Sequence, residues 1–76
     1  MQIDQRSVAD LKPGEKGVIA GFLDDFIYLK LLEMGCLPGT EIKMNFVAPL
    51  GDPVSVKVSG YNLSLRLDEA AAITLE

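Results

Sequence analysis

Cys36 is the one thiol in this 76-residue chain, and there is no histidine. A cysteine nucleophile needs a base to generate its thiolate, and none stands near Cys36 in the sequence. Cys36 therefore reads as a small apolar filler. The missing imidazole also removes the commonest nitrogen ligand for transition metals, and with it the two-histidine, one-carboxylate arrangement. What remains for a metal is a weak site built from Cys36 and carboxylates, across a dimer. Gly14-Glu15-Lys16-Gly17 fails the G-x-x-x-x-G-K-[ST] spacing of a phosphate loop. Two acidic pairs, Asp24-Asp25 and Asp68-Glu69, stand where helical turns are expected to begin. Carboxylates there cap backbone N–H groups and meet the positive end of the helix dipole. Neither catalysis nor a cofactor is expected, and the chemistry left to this chain is contact.

The contact residues are apolar side chains in polar settings. Residues 25–34 form a predicted helix, at about 100° per residue. Ile27, Tyr28, Leu31 and Leu32 then share one wide face, and Lys30 and Glu33 mark the opposite one. Phe26 projects between those charges and Leu29 lies at the border. Aromatics dominate interface hot spots, so Phe26 is a candidate anchor, unless it lies in the preceding turn and folds into the core. Leu50 poses the same question. It sits at the tip of Pro49-Leu50-Gly51-Asp52-Pro53, a loop stiffened by two prolines, and loops on rigid scaffolds are common binding elements. Phe26, Leu29, Lys30 and Leu50 are the candidate partner-binding residues.

The elements that must position them follow from hydrophobic period. Residues 7–11 read as a short turn capped by Ser7, stopped by Lys12-Pro13-Gly14. Residues 17–23 read as a first strand, followed by the helix capped by Asp24 or Asp25. Gly35 is placed to end that helix in a left-handed conformation, and Pro38-Gly39 to turn the chain. Three alternating strands come next, with Ile42, Met44 and Phe46, then Val54, Val56 and Val58, then Leu63, Leu65 and Leu67 facing inward. One capped turn at Asp68–Ala71 and a last strand through Ile73 and Leu75 close the chain. Five short strands with one inserted α-helix predict a mainly β fold, a small barrel without exposed edges. Residues 1–76 make one domain, with its core in 7–75.

Bulk composition narrows the partners. The chain is 49% hydrophobic, with 7 basic and 11 acidic side chains and a net charge of -4. Nucleic-acid binding needs cations for phosphates; Lys43 and Lys57 do not make a basic stripe, so no nucleic acid is expected. No apolar run is long enough to cross a bilayer, so no direct membrane insertion is expected either. A secreted domain this small is usually stapled by disulfides, and Met1-Gln2-Ile3-Asp4-Gln5 lacks leader character. The expected compartment is the cytoplasm, and the expected partner a protein.

Four segments in order carry a family resemblance. Leu31-Leu32-Glu33-Met34-Gly35-Cys36-Leu37-Pro38-Gly39-Thr40 resembles an L-x-x-[LM]-G-x-x-P-G segment. Ala48-Pro49-Leu50-Gly51-Asp52-Pro53-Val54 is similar to a P-x-G-D-P hairpin. Gly60-Tyr61-Asn62-Leu63-Ser64-Leu65-Arg66, followed by Glu69-Ala70 and Ile73, resembles a G-x-x-[LIV]-x-L-R-x-x-E-A-x-x-I ending. The opening Leu11-x-x-Gly14-x-x-Gly17 fits as well. Together they resemble the FeoA family of ferrous-iron transport proteins over residues 7–75. On this resemblance Gly35, Pro38, Gly39, Gly51, Asp52, Pro53, Gly60, Arg66 and Glu69 are the structural motif, with a local ion pair between Arg66 and Glu69.

The resemblance implies an SH3-like barrel. It also implies a small cytosolic accessory protein that binds the GTP-binding cytosolic portion of the FeoB-type ferrous-iron transporter and supports or regulates Fe(II) transport. A homodimer is the other association carried forward. The helix departs from the family in one respect: Lys30 stands alone where paired basic residues are common, beside Asp24 and Asp25. Two alternatives stand: the SH3-like regulatory domain that ends iron-dependent repressors, and a weak metal-binding protein. The repressor reading ranks lower because no DNA-reading segment precedes the domain.

Overall fold

The computed structural model describes residues 6–76, so the reading of Met1–Gln5 lies outside the described residues. A single 3-10 turn at Val8–Asp10 leads into β1, Lys16–Phe22. Helix α1, Asp25–Glu33, follows, then β2 (Glu41–Val47), β3 (Val54–Val58) and β4 (Tyr61–Leu65). The short helix α2, Leu67–Ala71, and strand β5, Ile73–Leu75, complete the chain. The strands form one antiparallel sheet in the order β4-β3-β2-β1-β5. Its two end strands do not pair, so the expected barrel is open along that seam, and α2 joins them. Among the described residues no helix is long and apolar enough to span a membrane.

Alternation produces the core. Ile42, Met44, Val54, Val56, Val58 and Leu65 point inward and meet Ile19, Ile73, Leu31 and Val8. Each such side chain contributes roughly 1.5–3 kcal/mol when fully buried. The pattern breaks twice. Met44 lies opposite Val56 but Phe46 lies opposite Ser55, so Asn45 is an extra residue on β2. A bulge of this kind turns everything beyond it to the other face, and Phe46, expected inside, is 60% exposed. Leu67, also expected inside, opens α2 instead of extending β4 and is exposed.

The ends of α1 are fixed by hydrogen bonds. Asp24 is the N-cap, accepting from the Phe26 N–H at 2.8 Å. At the other end Gly35 adopts φ +94°, a conformation open to a residue without Cβ. The Gly35 N–H then donates to the Leu32 carbonyl and the Cys36 N–H to the Leu31 carbonyl. This paired closure is accompanied by contact between the flanking apolar residues, and here Leu31 and Cys36 are both fully buried in one core. Cys36 is a packing residue, and burial pushes its thiol pKa up, away from the reactive thiolate.

Candidate functional site

Helix α1 is held by a narrow stripe. Leu31 is its one buried residue, Ile27 packs against the core at partial burial, and the Tyr28 ring lies 5.1 Å from that of Phe22. Leu32 is half-buried, and Asp25, Phe26, Leu29, Lys30 and Glu33 face water. Phe26 is 85% exposed and Leu29 65%, so Phe26 does not fold back into the core. Leu23 and Leu37, in the chain on either side of α1, are also exposed. Leu50, at the β2–β3 tip, is 96% exposed.

Helix α2 ties these two regions to one place. Its first backbone N–H, from Leu67, donates to Asp52 Oδ1 of the β2–β3 loop at 3.0 Å. Three residues into the turn, Glu69 reaches back to accept from the Arg66 N–H at 2.9 Å. Its other carboxylate oxygen accepts from Lys30 Nζ of α1. Glu69 is only 7% exposed. The hydrogen bond from Lys30, then that from Arg66, lower its pKa below the usual carboxylate value, while burial opposes them. The ion-pair partner of Glu69 is thus Lys30 rather than the expected Arg66, which meets Glu69 through its backbone N–H. Arg66 spends its backbone, extended at φ -67°, ψ 151°, on starting the helix.

Lys30, Asp52, Pro53, Ser64, Arg66 and Glu69 line one open depression of about 550 Å³. The elements carrying Phe26 and Leu29 on one side and Leu50 on the other form two of its walls. Two pairs of motif residues, Asp52-Pro53 and Arg66 with Glu69, are brought together there with the candidate contact residue Lys30. Gly35 and Pro38-Gly39 lie elsewhere, at the end of α1, and Gly60 in the β3–β4 turn.

Two features escaped the sequence. The Asp52 bond to the α2 backbone spans fifteen residues and has no local signal. The exposure of Phe46 depends on the bulge, whose only hint is Asn45. The Asn45 side-chain amide donates to Ser55 Oγ and Asn62 Oδ1, at 3.3 and 3.1 Å. No three His, Cys, Asp or Glu side chains converge on a metal-sized site among the described residues.

Comparison with known proteins gives a consistent set. The model of the FeoA domain matches residues 6–76. A relative from Porphyromonas gingivalis, an Fe(2+) transport protein A/Fe(2+) transporter FeoB fusion protein, is 37% identical over 70 residues. The match takes in 91% of this chain and 8% of the relative, so the chain spans a small part of that protein. Among solved structures, an FeoA-like protein from Clostridium acetobutylicum is 32% identical, with a TM-score of 0.88 over 99% of this chain and 88% of that one. The zinc-complexed FeoA of Stenotrophomonas maltophilia, described as a prokaryotic SH3 domain protein, is 26% identical, with a TM-score of 0.82 over 93% and 89%. T. acidophilum IdeR is 27% identical, with a TM-score of 0.81 over 99% of this chain and 35% of its own.

Proposed function

The chain belongs to the FeoA family, and from that premise we propose that it is a cytosolic accessory protein of ferrous-iron uptake. It acts by binding rather than catalysis, and its partner is the cytosolic GTP-binding portion of an FeoB-type transporter. The observation that carries this reading is the Porphyromonas gingivalis fusion, in which a related domain is covalently joined to the transporter. Working beside the transporter, such a domain needs a surface through which to touch it.

The surface best suited is the one around the α2 depression. Phe26 and Leu29 on α1 and Leu50 on the hairpin are apolar, exposed and mounted on elements fixed to each other through Lys30–Glu69 and Asp52–Leu67. Two anchors at about 2 kcal/mol each, set against the cost of association, suit roughly micromolar affinity. Titrating the transporter's GTP-binding domain into isotope-labelled protein should shift amides of α1 and the Leu50 loop. A Phe26→Ala/Leu50→Ala variant should fold normally and bind at least about 30-fold more weakly. Unchanged binding by that variant overturns the proposed surface.

Likeness to IdeR favours a second reading, a regulatory domain of the kind found within a longer protein. A spectrum unmoved by the GTP-binding domain, with and without guanine nucleotide, would favour that reading over the transporter.

A further inference from the structure

The register of the sheet assembles a charge pattern that the linear sequence disperses. Lys16 on β1 lies directly opposite Lys43 on β2, and Lys43 directly opposite Lys57 on β3. All three are exposed. Neighbouring strands stand about 4.8 Å apart, so the lysine stems form a row roughly 10 Å long across the sheet. Like charges placed directly opposite one another destabilise a sheet. None of the three has an ion-pair partner among the described residues, where Arg6–Glu15 and Lys30–Glu69 are the pairs formed. In a chain of net charge -4, three of the seven cations are thus held together without internal neutralisation.

The row lines a depression of about 420 Å³ with Thr40, Ser59 and Gly60, and with one carboxylate, Glu41. It shares no lining residue with the depression beside α2. Beyond the bulge on β2, Phe46 and Val47 are exposed on the strand that carries Lys43. We propose that this face is a second docking surface, separate from that of α1, and that it receives an extended acidic segment of a protein partner. An extended chain places same-side carboxylates about 7 Å apart, a spacing that spans neighbouring lysines. A flat anionic bilayer fits less well, because it would not follow the lysines into a depression. One phosphate is too small to engage the whole row.

The test is amide chemical-shift titration of the labelled protein with a hexaglutamate peptide, with inorganic phosphate, and with vesicles containing one-third phosphatidylserine. The peptide should move the amides of Lys16, Thr40, Lys43, Lys57 and Ser59 at low salt. The shifts should vanish in about 0.5 M sodium chloride, where charges are screened within a few ångströms. A Lys43→Glu/Lys57→Glu variant should bind the peptide about tenfold more weakly while keeping its dispersed spectrum and losing no thermal stability. No response to the peptide overturns the proposal, as does binding to vesicles alone. Equal shifts from phosphate at the same concentration would make the row a general anion site and overturn it too.

Discussion

The α1 side of the molecule and the outer face of the β1–β2–β3 sheet handle charge in opposite ways. Beside α1, Lys30 is neutralised by a buried glutamate and the apolar side chains are left exposed. On the sheet face, the apolar side chains of β2 and β3 up to the bulge point inward, and three lysines form no ion pair among the described residues. One surface offers hydrophobic area mounted on a tied framework, the other offers uncompensated charge on regular strands. The first should therefore govern how long a partner stays, and the second how it is oriented and how strongly salt matters.

The sharpest way to break the contrast is to release α1. Leu31 is its one fully buried side chain, so Leu31→Ala removes the main packing between helix and sheet. Such truncations cost about 2–5 kcal/mol, and about 3 kcal/mol is expected here in urea unfolding. Amides of α1 should lose protection from exchange before those of the sheet, because local openings follow local packing. The β1–β2–β3 register should survive. Uniform loss of protection across both regions would mean that α1 and the sheet are one cooperative unit, and the contrast would fail.

A smaller effect isolates the Lys30–Glu69 tie. The folded-state pKa of Glu69 lies below its unfolded value near 4.5, so its contribution is complete above that value and fades as pH falls through the folded one. Lys30 is more than half exposed, which screens the pair. Glu69→Gln should then cost about 1 kcal/mol at neutral pH, most of it from the weakened hydrogen bonds to Lys30 and Arg66. The gap between variant and wild type should narrow below about pH 4.5. A gap constant from pH 7 to 3 would show that the tie contributes through packing alone.

The sequence made the α1 side more legible than the sheet face, for a physical reason. Helix signals are local. The cap, the i, i+4 apolar stripe and Gly35 all act within a few residues. Of the two candidate caps Asp24 is the one used, Gly35 ends the helix, and of the expected packing face Leu31 is buried with Ile27 beside it. The positions of the strands along the chain also followed from alternation and turn residues, as in Ser59-Gly60, whose positive φ values turn β3 into β4. Register did not. The inward placement of Phe46 assumed unbroken alternation, and one extra residue at Asn45 reversed it. The lysine row depends on register across three strands, with Lys16 and Lys43 separated by α1, so Lys43 and Lys57 alone gave no stripe. The Glu69 partner was misread in the same way: Arg66 was near in sequence, whereas Lys30 is near in space.

The smallest expected effect is also the one whose sign discriminates most. Lys43 sits between Lys16 and Lys57, and its side chain is exposed, so its replacement removes no core packing. If the row were ordinary surface, Lys43→Glu would change stability little in either direction. If the row is a cluster of like charges held against mutual repulsion, Lys43→Glu turns two repulsive cross-strand pairs into attractive ones, and stability should rise by about 0.5–1 kcal/mol at low ionic strength. Salt provides the control. Screening relieves the repulsion in the wild type and weakens the attraction in the variant, so the two melting curves should converge as sodium chloride is raised. A variant that is more stable yet binds the acidic peptide less well could not owe that loss to misfolding. A variant less stable at every salt concentration would mean that Lys43 supports the sheet, and the row would lose its claim to be anything more.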